Sequence, residues 1–118
     1  MKAEEIEQLI EIFGGNDVLH EGDISDYFDV IRSAFDVHID RERIRNGLWK
    51  DYPAEDQFNQ VKIKVDRIVR SLEVLKKLPD TEGYFERRDD LRANIVAEAF
   101  DIINYAVFGV RIMRGLVP

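Results

Sequence analysis

Two carboxylates stand three residues apart near the end of the chain. Glu98 and Asp101 share one face of any helix that contains them, close enough for both to reach one hard cation such as Mg²⁺. Between Ile95 and Met113 they are the only acids, and Arg111 is the only base. Earlier, Lys62, Asp66, Arg70 and Glu73 follow one another at spacings of four, four and three. That row can pair internally, each exposed pair contributing about 0.2–0.5 kcal/mol. Alternatively, Asp66 and Glu73 add carboxylates to Glu98 and Asp101 across a helix pair, while Lys62 and Arg70 meet phosphate oxygens. Mg²⁺ held by Asp66, Glu73, Glu98 and Asp101 would polarise a phosphoanhydride and lower the pKa of an attacking water, with Glu73, Glu98 and Asp101 as the catalytic acids. Trp49, Tyr52 and Tyr105 are the candidate walls for a stacked base, although core packing is the commoner fate of such rings.

Competing chemistries have less to build on. The chain has no cysteine, which excludes a thiol nucleophile, a disulfide scaffold and a thiolate metal site. His20 and His38 each lack a second histidine or cysteine at i+3 or i+4 and are expected at the surface or in caps. Gly14-Gly15 lacks the GxxxxGK context of a phosphate loop. Arg41, Arg43 and Arg45 form a small basic cluster that can steer an anionic ligand or neutralise the acidic segment before it.

Helices must position these groups, because apolar periodicity favours helix nearly everywhere. Ile6, Leu9, Ile10 and Phe13 form one stripe, closed by Gly14-Gly15. Asp23 or Ser25 can cap a second helix carrying Tyr27, Phe28, Val30, Ile31, Ala34 and Phe35, and Asp40 a short third one ending at Trp49. Pro53 opens a long helix whose stripe is Phe58, Val61, Val65, Ile68, Val69, Leu72 and Leu75. Leu78-Pro79-Asp80-Thr81-Glu82-Gly83 reads as a loop. A last long helix runs from about Arg88 to Met113, ending near Gly115. Most of its surface is apolar, with a narrow strip of Asp90, Asn94, Glu98, Asp101 and Tyr105. That strip is either the solvated face or a buried polar row.

The expectation is one all-α domain over 1–118, with an acidic helical segment at 1–40 and a core helical pair at 53–114. Two long antiparallel helices, about 54–78 and 88–113, pack with about three shorter ones. A last helix this apolar, together with Ile63 and Val74 opposite the main stripe of the Pro53 helix, favours a homodimer.

Composition bounds the partners. With 118 residues, 45% hydrophobic and a net charge of -7, the chain can bury one core. Residues 1–40 hold eleven acids against Lys2 and Arg32, a net of -9, and the remainder carries a net of +2. The acidic third repels nucleic acid and suits a basic protein partner, a cation or solubility alone. The start lacks the apolar stretch of a secretory signal, and Glu98, Asp101 and Asn104 interrupt the apolar run 95–110. No membrane span is therefore expected, and a cytoplasmic location is.

Three short segments add a resemblance. Lys50-Asp51-Tyr52, Lys64-Val65-Asp66-Arg67 and Asp101-Ile102-Ile103-Asn104-Tyr105-Ala106 resemble a small α-helical family of phages and prophages, the nucleotide-modification-associated domain. It pairs a K-x-x-D-Y-G element with a K-x-x-R helix and a closing D-x-x-N-Y-A helix. The likeness covers roughly residues 46–113, and Pro53 stands where that family has glycine. Glu98-Ala99-Phe100-Asp101 is also similar to the E-x-x-D half of the MazG-type and dUTPase-like all-α pyrophosphohydrolases, whose E-E-x-x-E half is missing here. The resemblance implies a MazG-like helical bundle that binds nucleotides and Mg²⁺. It further implies an enzyme hydrolysing nucleoside triphosphates, or a degenerate relative of one. The alternative is a small acidic inhibitor that engages a basic host protein through residues 1–40.

Overall fold

The computed structural model describes residues 2–12 and 21–116. Among the described residues it contains four α-helices and no strand. They are α1 (Ala3–Ile12), α2 (Glu21–Arg45), α3 (Ala54–Lys77) and α4 (Phe85–Met113). The fold is all-α, as the periodicity predicts. The Gly14-Gly15 stop and His20 lie outside the described residues.

Proline and glycine place the ends of α3 and α4. Pro53 is the N-cap of α3, and its carbonyl accepts the amides of Asp56 and Gln57 at 3.1 and 3.3 Å. Gly115, at φ 66°, turns the chain after α4, and Leu116 N–H closes onto the Arg111 carbonyl at 2.9 Å. Between the two helices, Arg88 fastens the loop by donating to the carbonyls of Leu78 (3.3 Å) and Pro79 (3.0 Å). Phe58 lies against Gly109, Lys64 against Glu98 and Asp101, and Leu78 against Arg88, so α3 and α4 run antiparallel.

Two expectations need correction. The proposed second and third short helices are one continuous helix, α2, with Asp23, Ser25 and Asp40 inside it. No Gly or Pro interrupts the chain from Asp23 to Asn46, so a polar side chain alone had no reason to end the helix. The true stop is Asn46-Gly47, both left-handed at φ 47° and 75°, two residue types that tolerate this conformation. A 3₁₀ turn, Leu48–Asp51, then delivers Trp49 to the core. There are consequently three long helices, not two.

Helix α2 crosses α4 through polar bonds. The Asn104 amide donates to the carbonyl of fully buried Ala34 at 2.9 Å, and Arg41 pairs with Asp101 at 2.5 Å. An aromatic knot closes the junction: Trp49 stacks on Phe108 at 4.2 Å and 13°, and the His38 ring lies 4.8 Å from Phe108. Among the described residues the buried apolar side chains are Ile6, Ile24, Ala34, Trp49, Leu91 and Phe108. Accessible surface is 9008 Å², against roughly 6,600 Å² for a compact monomer of this mass. The radius of gyration is 17.8 Å, where about 13.5 Å is usual. One chain leaves much of its apolar surface uncovered.

Candidate functional site

The carboxylate pair is where the spacing put it, on one face of α4, but it faces cations. Lys64 Nζ lies 3.0 Å from Glu98 Oε2 and 3.2 Å from Asp101 Oδ2. Arg41 takes Asp101 Oδ1, and Arg67 stands 3.6 Å from Glu98 Oε1. Lys64 and Asp101 are largely withdrawn from solvent. Burial works against the Lys64 charge, but hydrogen bonds to Glu98 and Asp101 outweigh it and raise its pKa above the usual 10.5. The polar strip of α4 is thus buried at Asp101 and half-buried at Glu98 and Tyr105, while its Asp90 and Asn94 remain exposed; Asn104, beside the strip, is buried as well.

The other proposed metal and phosphate residues are elsewhere. At about 100° per residue, Lys62, Asp66 and Glu73 lie some 160–180° around α3 from Lys64 and point away from α4. All three are exposed. Arg70 is exposed too, but borders a shallow depression with Arg67, Asn94 and Glu98. Mg²⁺ does not fit this donor set. Three cationic side chains already hold the two carboxylates, so a dication would enter a net positive cluster and have to displace Lys64. The lysine was visible in the sequence as part of Lys64-Val65-Asp66-Arg67. Its helical phase relative to Glu98 was the missing signal.

The three aromatic candidates do converge. A cleft of about 440 Å³ opens between the end of α2, the 3₁₀ turn, the first turns of α3 and the last third of α4. Trp49, Tyr52, Tyr105 and Phe108 line it together with Gln57, Asn59, Gln60 and Asn104. Trp49 forms the floor: only 8% exposed, it spends its ring on Phe108 and on the Arg111 guanidinium 5.0 Å from its centroid. Tyr52, half exposed, and Tyr105, partly exposed, offer ring surface. Gln57 is held by donating its amide to the Trp49 carbonyl at 2.7 Å, which rigidifies the turn against α3.

Charge in the cleft is mixed. Arg41 and Arg45 from the basic cluster enter it, with Glu42 and Asp56 as the acids. The basic cluster was legible in the sequence, but Asp56 and the three α3 amides were not assigned to a site, because nothing local marks residues that meet only across helices. His38 was expected at the surface or in a cap; it stands in the wall instead, packed on Phe108. Burial lowers its pKa from 6.5; nearby Glu42 opposes this, and Arg111 and Arg41 add to it.

Fold and cleft define an open all-α helical domain with a concavity in the roughly 300–1,000 Å³ range of small-molecule sites. The chain matches no protein family, no curated protein and no solved structure. No helix among the described residues is long and apolar enough to cross a membrane.

Proposed function

We propose that this protein binds a nucleotide in the aromatic-amide cleft, as a helical relative of the nucleoside triphosphate hydrolases without their carboxylate-held metal. The observation that carries the reading is the convergence of Tyr52 and Tyr105 with Asn59, Gln60, Arg45 and Asp56 around one cleft. Aromatic faces bind the base by stacking, worth about 1–3 kcal/mol per base in single-stranded nucleic-acid sites. The amides read its polar edge, Asp56 accepts from ribose hydroxyls, and the Arg45 guanidinium takes the phosphate.

The test is thermal unfolding and calorimetric titration with a panel of ribo- and deoxynucleotides, with and without Mg²⁺. A ligand at about 100 times its Kd adds roughly 2.7 kcal/mol to the folded state. Tyr52→Ala and Arg45→Ala each weaken that ligand by about tenfold or more. Absence of a shift with every nucleotide, or binding indifferent to both substitutions, refutes the cleft. A specific observation also favours the second reading: Glu4, Glu5, Glu7, Glu11, Asp26 and Asp29 are all exposed on α1 and the first half of α2. A basic protein partner bound there would dissociate with salt and ignore the cleft variants.

A further inference from the structure

Among the described residues, the α3–α4 pair carries α2 on one side and no helix on the other. In α4, Asn104 and Asp101 turn to α2, and Glu98 and Gly109 to α3. Val110 and Met113, 41% and 72% exposed, lie on the remaining side. In α3, Phe58, Val65, Val69 and Leu72 fall within about 60° of arc, to one side of the α4 contact, and each is 39–48% exposed. Because the helices are antiparallel, the two stripes open together, opposite α2. The pair turns Lys64, Glu98 and Asp101 inward and leaves an apolar stripe exposed on this face, unlike a solvated surface helix.

We infer that a second copy of this chain covers this face, docking α3 antiparallel on α3 about a two-fold axis near Ile68. Two observations choose that occupant. The first is exposure: Phe58, Val65, Val69, Leu72, Val110 and Met113 make one apolar face with each residue 39–72% exposed, in a chain whose whole surface exceeds that of a compact monomer by roughly 2,400 Å², and a standard interface takes about 800 Å² from each partner. The second is charge. Lys62 and Glu73 border the stripe, within about 20–40° of Val69, with opposite charges on either side of Ile68, so an antiparallel copy sets Lys62 against the partner's Glu73, twice by symmetry. Asp66 and Arg70 turn further round the helix, Arg70 to the depression beside Glu98. In the same register Val65 falls between the partner's Val69 and the partner's Leu72. All four charged residues are exposed, and no ion pair among the described residues uses any of them. A parallel pairing would set like charges together, so Lys62 and Glu73 specify the antiparallel dimer.

The full chain is analysed by sedimentation equilibrium as wild type, Lys62→Glu and the exchange variant Lys62→Glu/Glu73→Lys, with circular dichroism to show unchanged helix content. The expected result is a wild-type dimer and a single variant that dissociates about tenfold more readily, since both symmetry-related pairs become repulsive. The exchange variant, whose charges are swapped but still complementary, returns to wild-type affinity. A monomeric wild type, a dimer unmoved by Lys62→Glu, or an exchange that fails to restore it overturns the proposal. Tyr52 and Arg45 are not on this face, so nucleotide titration is judged separately from the dimer.

Discussion

Replacing Lys64 by Met keeps the aliphatic stem and deletes the charge at the centre of the buried row. At an effective dielectric near 20, each contact, at 3.0 and 3.2 Å, carries about 5 kcal/mol of gross attraction. Most of that is offset. The ammonium was dehydrated to enter the site, it repels Arg41 and Arg67, and after its loss Arg41 still holds Asp101 and Arg67 still faces Glu98. The net cost is that of a charge-assisted hydrogen bond left unmade beside a buried acceptor, about 2 kcal/mol. Urea denaturation at fixed protein concentration should show that loss, and Tm should fall by roughly 8 °C. Its pH dependence follows from Lys64 itself. The folded pKa is raised above 10.5, so the stabilisation is complete below 10.5 and vanishes only as pH rises through the folded value. The wild-type-to-variant difference should therefore be equal at pH 7 and pH 9. A variant as stable as wild type would mean the carboxylates do not depend on Lys64. If Mg²⁺ alone raised the wild-type Tm by several degrees, the pair would be a metal site after all.

Two other perturbations probe the packing around the cleft. An alanine Cβ at Gly109 would sit 2.5 Å from Phe58 Cζ, so Gly109→Ala should cost about 1–2 kcal/mol although alanine is the better helix former. In a Phe58→Ala background the same change should instead stabilise by about 1 kcal/mol; equal effects in both backgrounds would show that the ring does not rest on Gly109. His38 is held below its ordinary 6.5, mainly by burial, so between 6.5 and its folded value the unfolded chain binds more protons. Stability should fall as pH drops through that window, and His38→Gln should flatten the profile between pH 7 and pH 5; an unchanged slope would assign the loss to other groups.

The sequence by itself determined the helical class, both ends of α3 and the C-terminal end of α4, while α4 begins at Phe85, three residues before the expected Arg88. Periods of three and four, Pro53, the Pro79–Gly83 loop and Gly115 act within a turn or two of the backbone, so their consequences can be read locally. It also marked Glu98, Asp101, Trp49, Tyr52 and Tyr105 as unusual for their surroundings. Only the tertiary structure decided what those residues face. Helical phase shows that Glu98 and Asp101 share a side, but whether a cation, water or a lysine stands opposite depends on the register between α3 and α4. That register brings in Lys64 and leaves Asp66 and Glu73 on the far side. The continuity of α2 was legible in the run from Asp23 to Asn46 without Gly or Pro, although Asp40 looks like a cap; only the crossing, where Arg41 anchors to Asp101 sixty residues away, needed the tertiary structure. The apolar side of α4 reads as core by composition, yet Val110 and Met113 face outward, on the side of the helix away from the Asp101–Lys64–Arg41 charges.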